Sequence, residues 1–175
     1  MLETALLSFP LLMIFAACMD LFTMRISNKI SIALVLCFLP LAALSGLPVW
    51  SIASDAISMH YACGLLVLLI TFGLFALGKI GGGDAKLTAA STVWMGWGAI
   101  VDYLAIAALL GGALATLILL LRAFPLPLAL LERSWIARLH ERKGKIPYGV
   151  ALGLAAIIVY PETAIWRASN LCNYF

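Results

Sequence analysis

Two acids in this chain stand where acids are costly. Asp20 lies in Ala16-Ala17-Cys18-Met19-Asp20-Leu21-Phe22, inside an apolar run that starts near residue 4. An aspartate at the centre of a membrane span costs about 2.5–3.5 kcal/mol on insertion scales and less near the interface, so it marks a functional position by default. Asp84 follows Gly81-Gly82-Gly83 and precedes Ala85-Lys86-Leu87; the glycines allow backbone conformations closed to other residues and close approach of a second chain. Two carboxyls in contact cannot both ionise easily, so one keeps its proton and the pair holds an acid and a base side by side. That combination suits hydrolysis of a peptide bond: the ionised member draws a proton from the attacking water, and the protonated one polarises the scissile carbonyl. Each residue alone has a plainer explanation. Asp20 reaches water at a helix end or pairs with Arg25, and Asp84 caps a helix after a flexible turn.

The elements that must position this pair are membrane helices. Of 175 residues, 65% are hydrophobic and 11% charged, against roughly 25% charged in soluble domains. Apolar runs fall near 4–22, 30–47, 58–78, 87–101, 103–121 and 148–166, most close to the roughly 20 residues that cross a bilayer. The expected fold class is an all-α polytopic bundle of about six transmembrane helices, forming a single membrane domain over 1–175, with the first run retained as a helix. Periodicity in Leu128–His140 predicts an amphipathic piece within a basic segment at about 122–146, lying along anionic headgroups.

Charge supplies orientation. Ten of the eleven Lys and Arg residues (Arg25, Lys29, Lys79, Lys86, Arg122, Arg133, Arg138, Arg142, Lys143 and Lys145) follow the first, third or fifth run, and only Arg167 does not. Such residues accumulate on the cytoplasmic side, which puts both termini on the other side. It also puts Asp20 and Asp84 at the same cytoplasmic edge, whereas Glu3, Asp55, Asp102 and Glu162 fall opposite. The four cysteines are widely spaced without a CxxC pair, so no metal and no cofactor are expected. No basic stripe with interleaved aromatics points to nucleic acid. His60 and His140 lie away from the pair.

The run Gly81-Gly82-Gly83-Asp84-Ala85-Lys86 resembles the GxGD motif of membrane-embedded aspartic peptidases. Its setting is similar to the prepilin peptidases, especially the short form that accompanies tight-adherence (Flp-type) pili. In that family a first aspartate ends the first helix before a basic stretch, as Asp20 does before Arg25-Ile26-Ser27-Asn28; proline is common where Ser27 stands. Ile146-Pro147-Tyr148-Gly149 opens the final helix in the same manner, although proline also suits the first turn of any helix. The resemblance implies Asp20 and Asp84 as catalytic residues, supported by Gly81, Gly82, Gly83, Lys86, Pro147, Tyr148 and Gly149. It implies an aspartic endopeptidase in the bacterial inner membrane that removes the leader from a pilin-like precursor at the cytoplasmic face. The longer forms carry a cysteine-bearing insert and also methylate the new N-terminus; this chain lacks that insert. A proton- or cation-coupled transporter and a non-catalytic assembly subunit are the competing classes.

Overall fold

The computed structural model describes residues 6–49, 51, 55–125, 133–141 and 144–171, and the description is restricted to these. Among them every regular element is helical. In chain order these are α1 (Ser8–Thr23), α2 (Asn28–Leu44), α3 (Ile57–Ala76), α4 (Gly82–Ala123), α5 (Ser134–His140), α6 (Tyr148–Val159), a 3-10 turn (Tyr160–Glu162) and α7 (Ala164–Leu171). Helices α3 and α4 are long and apolar enough to cross a membrane, and α1, α2 and α6 are shorter apolar helices. Large apolar side chains such as Leu11, Phe15, Leu36, Leu69, Val101 and Leu109 are exposed on the outside.

Sequence reading separates a fourth and a fifth run near Asp102. In the structure Asp102 is helical, and the interruption lies six residues earlier, at Gly96 (φ 61°, ψ −174°) inside α4. A straight helix would hold Ser91 and Tyr103 about 18 Å apart, yet their hydroxyls are hydrogen-bonded at 2.8 Å. The two arms of α4 therefore bend back on one another at Gly96. That backbone region is open essentially to glycine alone, and a Cβ at this position would run into the His60 ring. The break also interrupts the regular ladder of α4, and Nδ1 of His60 donates to the Val93 carbonyl at 2.8 Å. Since a carbonyl only accepts, the proton sits on Nδ1. His60, one of the two histidines without an assigned role, thus braces the turn.

The core forms around Trp94. Its indole N–H donates to the Leu34 carbonyl at 2.9 Å, and its ring meets Phe9, Phe38 and Tyr160. The Tyr160 hydroxyl in turn donates to the Leu6 carbonyl at 2.9 Å. These contacts tie α1, α2, the first arm of α4 and the 3-10 turn into one unit. Paired aromatic rings add roughly 0.5–1.5 kcal/mol each beyond their burial. Cys63 is buried, Cys37 half-buried and Cys18 exposed on the outer surface, while Cys172 lies outside the described residues.

Helix α6 sits between α1 and α4 and packs on both. Gly149 and Gly153 lie one turn apart and face α1. A Cβ on Gly153 would come within 3.1 Å of the Ala17 Cβ and the Met13 carbonyl oxygen. Small residues at this spacing let helices approach backbone to backbone.

Of the basic segment, residues 126–132 and 142–143 lie outside the described residues, and so do Glu132, Arg142 and Lys143. Among the described residues that follow α4 in this segment, Ser134–His140 form the short α5, which is tied to the bundle. Arg138 donates to the Phe22 carbonyl at 2.5 Å, Trp135 meets Phe22 edge-on, and Nε of Arg122 donates to the Leu139 carbonyl at 2.7 Å.

Candidate active site

Asp20 occupies the last turn of α1, where helix carbonyls disfavour an anion. The chain leaves that helix through Met24, a left-handed residue (φ 54°) whose N–H bonds to the Asp20 carbonyl at 2.8 Å. The carboxyl is compensated from another helix. The backbone N–H of Gly149, in the first turn of α6, donates to Oδ2 of Asp20 at 2.7 Å. First-turn N–H groups have no partner within their own helix and face outward with a partial positive charge. Any side chain at 149 would collide with the acid: a Cβ there would lie 2.8 Å from Oδ2 and 2.9 Å from the Cβ of Asp20. Asp20 is only 6% exposed, so its geometry is fixed by this one approach.

Asp84 sits in the first turn of α4, after Gly81 as N-cap, the end of a helix that favours a carboxylate. Its Oδ2 lies against Gly81, where a Cβ would be 2.7 Å away. Gly83 packs on Ile26 of the α1–α2 connection, with a built Cβ 3.3 Å from that side chain. The three glycines thus let the α4 start lie close to the segment that follows Asp20. Ser27 caps α2, its hydroxyl accepting from the Lys29 N–H at 3.3 Å; a capping hydroxyl here does the work of starting the helix without proline.

Both acids line one cavity of about 280 Å³, together with Met24, Arg25, Ile26, Gly81, Gly82, Gly83, Lys145 and Ile146. Asp20 acts electrostatically on Asp84, and Lys145 on both. The other acids among the described residues lie elsewhere: Asp55, Asp102 and Glu162 line a separate cavity with His60 and Arg167, and Glu141 is exposed at the end of α5. Asp20 and Asp84 are thus brought together although α1 and α4 belong to distant parts of the chain, because α6 packs on both.

The remaining residues expected at the site divide. Gly81, Gly82 and Gly83 line the cavity, and Gly149 contacts Asp20 directly. Pro147 is the N-cap of α6 and is buried just behind it. Tyr148 instead lays its ring on Gly111 of α4, where a Cβ would be 3.1 Å away. Lys86 points away from the acids, donating to Oδ1 of Asn28 at 3.0 Å, at a different, mostly apolar cavity between α2, α3 and α4. The residue that sequence reading missed is Lys145. Its only sequence signal is adjacency to Ile146-Pro147-Tyr148-Gly149.

Comparison with curated proteins and with solved structures gave no match. Comparison with protein families matched the type IV leader peptidase family over residues 7–116. That span covers more than half of the chain and includes both Asp20 and Asp84. The chain belongs to the type IV leader peptidase family.

Proposed function

We propose that this protein is a membrane aspartic endopeptidase that removes the leader from pilin-like precursors at the cytoplasmic face of the bacterial inner membrane. The observation that carries this reading is the shared cavity of Asp20 and Asp84. Membership of a leader peptidase family makes the chain a peptidase, and this cavity holds two carboxyls able to activate water. Six spans follow if α1, α2, α3, the two arms of α4 and α6 each cross the bilayer. The basic loops then lie in the cytoplasm and both termini outside, by the distribution of Lys and Arg.

In this mechanism one carboxyl of the pair is ionised and the other protonated. The ionised member takes a proton from water as its oxygen attacks the scissile carbonyl carbon, and the protonated member gives its proton to the carbonyl oxygen. In collapse of the resulting gem-diol the C–N bond breaks as the protonated carboxyl gives its proton to the leaving amine and the ionised one takes a proton from a gem-diol hydroxyl, so the pair again holds one proton. The proton belongs to the pair, so acid and base are not assigned to one residue each. Gly149 fixes Asp20 through its N–H, and the side-chain-free run Gly81–Gly83 leaves room for an extended substrate backbone beside Asp84. The basic segment contacts anionic lipid headgroups.

A proton- or cation-coupled transporter would use the same acids differently. The position of the pair favours the peptidase: both acids stand in the end turns of their helices and not at mid-span, where transport sites lie. Incubating the detergent-purified protein with a pilin-like precursor and following the precursor's mass separates the two. Loss of the leader, with a new N-terminus directly before the apolar segment, is the expected result. An intact precursor would contradict the reading.

A further inference from the structure

We propose that Lys145 sets the charge of the aspartate pair, its ammonium keeping one of the two carboxyls ionised at neutral pH, and that Arg122 holds Lys145 in position. The proposal rests on the peptidase reading for its catalytic meaning, but its physical content concerns the two carboxyls alone.

Four charged groups face the cavity from every element around it: Asp20 from α1, Arg25 from the α1–α2 connection, Asp84 from α4, and Lys145 from the strand of chain entering α6. The rest of the wall is glycine and apolar side chain. Two carboxyls sharing such a wall favour keeping both protons, because desolvation and mutual repulsion both oppose ionisation. A doubly protonated pair has no base and cannot activate water. The Gly149 N–H already favours an anion at Asp20, and a nearby cation adds to that preference. Both cations line the cavity and are exposed, and Lys145 is the one carried by the segment that delivers the Gly149 N–H to Asp20.

Lys145 is not a free surface lysine, because its backbone is clamped. One Arg122 guanidinium donates to the carbonyls of Leu139 at 2.7 Å, Gly144 at 3.1 Å and Lys145 at 3.3 Å. Gly144 is packed so closely that a Cβ there would lie 2.7 Å from the Arg138 carbonyl oxygen. Three residues beyond Lys145, α6 begins and delivers the Gly149 N–H to Asp20. The segment that places the Asp20 hydrogen bond therefore also carries the cation to the cavity mouth. An unanchored lysine would extend its ammonium toward headgroups; here the last turn of α4 ties its main chain beside the acids.

The test uses dicyclohexylcarbodiimide, which modifies protonated carboxyls, with peptide mass spectrometry of Asp20 and Asp84 from pH 5 to 9. In wild type, labelling should fall as pH rises toward neutrality. In Lys145→Met and Lys145→Gln it should persist to higher pH, several-fold faster than wild type at pH 7, whereas Lys145→Arg should follow wild type. Arg122→Gln should move in the same direction as Lys145→Met by a smaller amount. In precursor cleavage the acid limb of the pH–rate profile should shift with the labelling, in kcat more than KM. Labelling profiles of Lys145→Met and Lys145→Gln that coincide with wild type, in protein that elutes normally in detergent, would overturn the assignment. So would wild-type labelling independent of pH. A shifted labelling profile in a protein that cleaves no precursor would uphold the role of Lys145 and defeat the peptidase reading instead.

Discussion

The Gly149 N–H reaches Oδ2 of Asp20 at 2.7 Å across 129 positions of sequence, so the start of the last apolar helix fixes the acid at the end of the first. The consequence is steric as well as electrostatic. Gly149→Ala would set a Cβ against both Oδ2 and the Cβ of Asp20, and the latter is tied to backbone and cannot swing aside. Displacing a reacting group by about 1 Å costs on the order of 100-fold in rate. Gly149→Ala should lose that much in kcat for precursor cleavage. Gly81→Ala meets only the carboxyl end of Asp84, which rotates, and should lose about 10-fold or less. Cleavage kinetics of the two variants check the order.

The bend in α4 predicts a stability effect remote from the acids. Gly96→Ala must place a side chain at φ 61° and against the His60 ring. Strain of this kind costs about 1–3 kcal/mol before the clash is counted. The variant should unfold several degrees lower in detergent, measured by thermal denaturation. His60→Ala should also destabilise, by about 1–3 kcal/mol, because the Val93 carbonyl loses its donor in a buried site.

Paired carboxyls predict a bell-shaped pH dependence of cleavage. At low pH both members are protonated and the base is lost; at high pH both are ionised and the acid is lost. Activity should fall on each side of an optimum, and either Asp→Asn substitution should remove the bell along with the activity. Initial rates across a buffer series, at saturating precursor, provide the check.

Much of this was legible in sequence, for identifiable reasons. The apolar runs announce α1, α2, α3 and α6 as helices, although of these only α3 has the length of a span and the run at 148–166 is broken by the 3-10 turn Tyr160–Glu162, and the glycine run before Asp84 announces the start of α4. The bend did not show. Gly96 lies in an apolar stretch with Gly98 and reads as one more small helical residue, whereas Asp102 looks like a loop; yet a polar residue at a helix surface need not end a helix, and a glycine with positive φ must interrupt one. The meeting of the two acids was equally hidden, since it depends on α6 packing on both α1 and α4 through Gly149 and Gly153. Lys86, at the end of the run that resembles the family motif, is expected at the site from that resemblance. Two residues along a helix from Asp84 carry it about 200° around the axis, and it bonds to Asn28 instead. Lys145 escapes notice for the converse reason: as one of six cations between residues 122 and 145 it reads as lipid contact, and its place in the cavity wall and its clamp to Arg122 distinguish it.

The central claim is that Asp20 and Asp84 act as one unit, and the most direct measurement is leader removal by Asp20→Asn, Asp84→Asn and the double variant in membranes. Each single variant should insert normally and fall by about 100- to 10,000-fold, the range for losing a positioned acid or base. The double variant should be no slower than the worse single one, because members of a catalytic unit are not additive. Cleavage at wild-type rate by either single variant, or losses that multiply in the double, would contradict the paired mechanism.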